Sequence, residues 1–94
     1  MNDQELFAIR YRQYDPQLRK KLTTIGIKPA DIDDLSQMIW LRAWEKREQV
    51  KTEMFQKWLY TITHRIATRH QEKESRRKDR EVRYFDAGIE EIIY

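Results

Sequence analysis

Two sets of apolar residues at helical spacing constrain the fold of this chain more than anything else. They are Ile32, Leu35, Ile39 and Ala43, and then Phe55, Leu59, Ile62 and Ile66. At about 100° per residue, each set lines one stripe of a helix. β-branched residues nowhere alternate over a strand's length, so no sheet is expected.

Two glycines and two prolines punctuate the pattern. Asp15-Pro16 reads as an N-cap and first helical residue. Gly26, after Leu18, Leu22 and Ile25, reads as a left-handed helix end. Pro29 opens the next helix, and Thr52 caps the last. The expectation is an all-α fold, a compact bundle of about four helices near 3–13, 16–25, 30–47 and 53–76, the last two longest. At 94 residues this is one domain. We place it at 1–83, with 84–94 as a tail or the start of a linker. The nearly all-charged stretch 72–83 is the solvated end of the last helix or the first part of a linker.

The residue types exclude several chemistries. There is no cysteine, and His64 and His70 have no carboxylate spaced for a metal site. No nucleophile–base pair is visible, so an enzyme, a cofactor and a metal are not expected. No apolar run approaches the ~18 residues of a membrane span. The polar, acidic start MNDQELFAIRY does not resemble a signal peptide, so a cytoplasmic protein is expected.

The formal charge of +3 is modest, but the charges are segregated. Ala30 to Glu45 holds four acids (Asp31, Asp33, Asp34, Glu45) against Arg42 alone, whereas Lys57 to Arg80 holds eight bases against three acids. Such segregation acts on partners and encounter rates. On the third helix, Met38 and Leu41 fall away from the core stripe among Asp34, Gln37 and Glu45, with Trp44 at the margin. This is either an ordinary surface with stray apolar groups or a docking patch with a polar rim. On the fourth helix the face opposite the core carries Lys57, Thr61, His64 and Thr68. Arg65 and Arg69 lie beside it, Tyr60 on one shoulder and Trp58 on the core edge. That is either a solvated face or a set of groups that reach phosphates, base edges and unstacked bases. The connecting loop KREQVK (Lys46, Arg47, Gln49 and Lys51 among its residues) is a plain connection or a flexible cationic finger. His64 reads as a surface residue and His70 as structural. Trp40, Trp44 and Trp58 argue for a core at the junction of these helices, with one indole partly exposed.

The runs DIDDLSQMIWLRAW and FQKWLYTITHRIA resemble region 2 of the bacterial sigma-70 superfamily, most closely its extracytoplasmic-function (group 4) branch. The family pattern is an acidic DxxDLxQExFLRAW helix, a short loop, and a FxxWLYRIARNxAxDxxRR helix. The likeness covers roughly residues 28–80, and residues 1–27 fit the two helices that precede it. It implies a promoter −10 recognition and polymerase-docking domain. The third helix would bind the β′ clamp helices of RNA polymerase core, with Asp34 and Gln37 at contact positions. The fourth helix and the loop would hold the non-template strand of the −10 element, with Thr61, His64, Arg65 and Thr68 facing DNA. The implied polymerase set is Asp34, Gln37, Met38, Leu41, Trp44 and Glu45. The implied DNA set is Lys46, Arg47, Gln49, Lys51, Lys57, Trp58, Tyr60, Thr61, His64, Arg65, Thr68 and Arg69. The chain departs from the pattern at Met38 (usually glutamate), at Arg65 (commonly asparagine) and at Gln49-Val50 in the loop. Family members also carry a second domain that reads the −35 element, which 94 residues cannot hold. Either this is an isolated domain or a separate protein supplies that half; such a protein, or an anti-sigma factor, is a candidate partner. Two other readings compete: a stand-alone helix-turn-helix regulator, which would bind palindromic duplex, and a helical adaptor that never touches DNA.

Overall fold

The computed structural model describes the backbone of residues 1–87 and the side chains of residues 1–78. Among the described residues, three helices carry the fold: α1 Asp3–Ile25, α2 Pro29–Glu45 and α3 Phe55–Ala87, with a 3₁₀ turn at Thr52–Met54 leading into α3. Each helix packs on both others. No strand occurs among the described residues. Of the expected tail, 88–94 lies outside the described residues.

Among the described residues, the expectation of about four helices is corrected to three. The first two are one continuous helix of 23 residues with Pro16 inside it, so α1 and the 33-residue α3 are the longest, and the 17-residue α2 is not. A proline inside a helix removes one backbone hydrogen bond and costs about 3 kcal/mol. Two features offset that here. Phe7 and Tyr14 before Pro16, and Leu18 and Leu22 after it, all pack into one core, and a break would swing half of them away. Asp15, expected as an N-cap, is buried and turns its carboxylate to α2. Its Oδ1 accepts from Ser36 Oγ and Trp40 Nε1, both at 2.9 Å. Its Oδ2 accepts from Arg19 Nε at 2.9 Å, and Arg19 Nη2 also reaches Asp33 Oδ1 at 2.7 Å. Asp33 and then Asp15 raise the Arg19 pKa, so the guanidinium stays charged throughout.

The helix ends follow local rules. Asn2 caps α1 by accepting from the Glu5 amide at 2.8 Å. Gly26 ends it at φ 106°, with its amide on Thr23 O and the Ile27 amide on Leu22 O, both at 3.0 Å. This is a Schellman closure, and Ile27 is buried beside it. Lys28, extended ahead of Pro29, starts α2. Thr52 is a second correction: its side chain caps nothing, and the residue before the 3₁₀ turn is Lys51.

The core joins Leu18, Leu22 and Ile27 with Leu35, Ile39, Trp40 and Ala43 of α2 and with Phe55, Leu59 and Ala67 of α3. Trp40, expected at the flank, is buried because Asp15 satisfies its N–H and Phe7, Tyr11 and Phe55 surround its ring. On α3 the buried face is rotated from the expected stripe. Thr63 and Ala67 are buried, whereas Ile62 and Ile66 are only half-buried. Small side chains there let the other helices approach. The Thr63 hydroxyl donates to Leu59 O at 2.7 Å, which removes the penalty of burying it.

Candidate nucleic-acid interface and docking face

Between the loop and α3 lies an open cleft of about 600 Å³, lined by Gln49, Val50, Lys51, Met54, Lys57, Trp58, Thr61, Ile62 and Arg65. The i, i+3, i+4 spacing of Lys57, Trp58, Thr61, Ile62 and Arg65 puts them on one side of α3. The loop forms the facing wall. Its turn is closed by Gln49 and Val50 amides donating to Lys46 O at 3.0 and 3.2 Å. The floor is apolar (Val50, Met54, Trp58, Ile62) and the rim is cationic (Lys51, Lys57, Arg65). An aromatic face beside flexible cations suits a base and its phosphate.

Six residues of the sequence-derived DNA set therefore meet here: Gln49, Lys51, Lys57, Trp58, Thr61 and Arg65. Exposed His64 and half-buried Thr68 share the Lys57–Thr61 stripe, and exposed Arg69 lies one turn beyond Arg65, but none of the three lines the cleft. Three residues lie elsewhere. Tyr60 is on another side of α3, where Lys21 Nζ stands 3.3 Å from its ring centroid. Lys21 is itself held below the ordinary lysine range by burial. Half-buried Lys46 opens the loop without lining the cleft. Arg47 turns toward α1 and α2: its Nε donates to Asp3 Oδ2 at 3.2 Å, its Nη1 to Trp44 O at 2.9 Å, and its Cζ lies 4.0 Å from the Trp44 ring centroid. Sequence reading missed Val50 and Met54, and placed Ile62 in the core. An apolar pair inside an otherwise polar loop and turn was the available signal.

On α2, Asp34, Gln37, Met38, Leu41 and Glu45 are all exposed, Met38 by 54% and Leu41 by 60%. None of them lines the cleft. Of the three aspartates at the start of α2, Asp31 is hydrogen-bonded to His70 (3.1 Å) and Asp33 is paired with Arg19, while Asp34 has no ion pair among the described residues. Trp44 is half-buried, edge-on to Phe7 at 5.3 Å, so it backs this face rather than projecting from it. His70 donates its ring N–H to Asp31 and Gln71 Nε2 donates to Ile25 O at 2.8 Å, so this turn of α3 ties down the α1–α2 corner.

The fold and surface define a small all-α domain with a cation-rimmed cleft and a separate acidic-apolar helix face. Residues 10–77, most of the chain, match the family model for sigma-70 region 2. The chain belongs to that family, whose domain serves RNA polymerase binding and promoter recognition. No curated protein and no solved structure matches it. No helix among the described residues is long and apolar enough to cross a membrane.

Proposed function

We propose that this domain docks on RNA polymerase core through α2 and captures the melted non-template strand of the promoter −10 element in the cleft between the loop and α3. The observation that carries the reading is the cleft itself, an apolar floor containing Trp58 under a rim of Lys51, Lys57 and Arg65. Unpairing a base costs a few kcal/mol, so strand capture needs a stacking surface and phosphate partners in one place. Lys57, Thr61, His64, Arg65, Thr68 and Arg69 follow the strand along α3. Gln49 and Lys51 approach it from the loop.

The docking partner is the β′ clamp-helix pair. Leu41 and Met38 supply the apolar contact and Asp34, Gln37 and Glu45 the rim. The acidic loop-proximal helix and the WLY run support the extracytoplasmic-function branch. Residues 1–83 act as the unit in the cytoplasm, and a −35 reader or an anti-sigma factor acts alongside.

The test pairs Lys57→Glu with Arg65→Glu. Core polymerase pull-down should be retained, whereas crosslinking of the complex to a −10 single-stranded oligonucleotide should be lost. An adaptor would tolerate both changes. A helix-turn-helix regulator would instead bind duplex tightly without polymerase.

A further inference from the structure

The loop that walls the cleft is held at both ends by α1. At its start, Arg47 pairs with Asp3, 44 residues away in sequence, at 3.2 Å. Past its end, Arg10 Nη2 donates to Thr52 Oγ1 at 3.3 Å, and the Arg10 Cζ lies 4.1 Å from the Phe55 ring centroid. These contacts interleave with the cleft lining along the chain. Arg47 precedes Gln49, Val50 and Lys51, Thr52 follows them, and Phe55 follows Met54.

Arg10 is the unusual member. It is 7% exposed, yet no carboxylate lies within ion-pair distance of it among the described residues. Burying a guanidinium without a counter-ion is unfavourable, and an apolar side chain of similar volume would pack there at no such cost. What the guanidinium adds is a grip on two points just past the loop, a hydroxyl and a ring face. The Asp3–Arg47 pair is exposed on the Asp3 side, where ion pairs add little to stability. Its effect is to aim Arg47 away from the cleft and fix where the loop begins.

We propose that Asp3 and Arg10 are positioning residues that brace the loop and thereby set the shape of the strand-binding cleft. The proposal rests on the strand-capture reading for its consequence, but not for the brace. It makes α1, which lines none of the cleft, a determinant of its affinity.

The experiment uses the full chain as Asp3→Asn, Thr52→Val, Arg10→Met and Arg10→Lys variants. Three quantities are read: the rate of tryptic cleavage after Lys46, Arg47 and Lys51 under native conditions, the thermal midpoint, and the affinity of the polymerase complex for a labelled −10 single strand. Thr52→Val and Asp3→Asn should keep the wild-type midpoint while the loop is cleaved several-fold faster and the strand binds about fivefold more weakly, the scale of one lost hydrogen bond. Arg10→Lys should restore most of both, and Arg10→Met should not. Wild-type loop cleavage in both Thr52→Val and Asp3→Asn overturns the brace. A loss of binding that tracks a fallen midpoint in every variant also overturns it. If the wild-type complex itself fails to hold the strand, strand capture falls, and the cleavage rates still decide the brace. If Arg10→Met does not fold, the two surface variants carry the test.

Discussion

The indole N–H of Trp40 donates to Asp15 Oδ1 across 2.9 Å, linking the middle of α1 to the middle of α2 at a place where the chain reads as a helix start. Ser36 Oγ shares the same oxygen. Asp15→Ala would leave two buried donors unpaired and free Arg19 from one carboxylate. Unfolding in urea, followed by tryptophan fluorescence, should show a loss of about 2–4 kcal/mol. Asp15→Asn keeps an acceptor in place and should lose roughly 1 kcal/mol.

Gly26 closes α1 at a φ of 106° that side chains rarely adopt. A Cβ there would also stand 3.3 Å from Gln71 Nε2, the amide that bonds Ile25 O. Gly26→Ala should therefore lower stability by about 1–2 kcal/mol, measured as a shift in the denaturant midpoint with an unchanged slope. The strain sits at the corner joining α1 to α2, so helix content by circular dichroism should barely change.

The cationic rim predicts a salt dependence. If Lys51, Lys57 and Arg65 each meet a phosphate, the logarithm of single-strand affinity should fall against the logarithm of salt with a slope of roughly −2. Lys57→Gln should reduce that slope by about 0.7 and weaken all sequences alike. Trp58→Ala should instead weaken binding and leave the slope unchanged, since stacking releases no counterions.

Leu41 is 60% exposed and takes no part in the buried core. Leu41→Glu should change unfolding free energy by less than about 0.5 kcal/mol. The same change should weaken capture of core polymerase about tenfold or more, read in a pull-down titration, the effect that the proposed docking role of α2 requires of an exposed apolar anchor.

Much of this molecule was legible from local pattern. The all-α class, the closure at Gly26, the start of α2 at Pro29 and the burial of Leu35, Ile39, Ala43, Phe55 and Leu59 all follow from spacing and backbone preference. So does the exposure of Met38, Leu41, Lys57, Thr61 and Arg65, which lie on faces set by the same periodicity. Within the candidate site, six residues of the expected DNA set line the cleft and six do not, while Val50 and Met54 lie outside that set and Ile62 reads as a core residue. Periodicity describes one helix at a time and is silent on what a loop presents to its neighbour.

Local pattern sets where helical periodicity runs, which faces are apolar and how charge is divided between α2 and α3, because those depend on residues a turn or two apart. The roles of Asp15 and Thr52 emerge only from the packed fold. Both have the side chain and the position of an N-cap, and both point instead at another helix, to Trp40 and Ser36 in one case and to Arg10 in the other. A capping oxygen satisfies the nearest donor unless a distant one must be buried beside it. Trp40 and Arg10 are brought there by the packing of the whole core, which no local pattern contains.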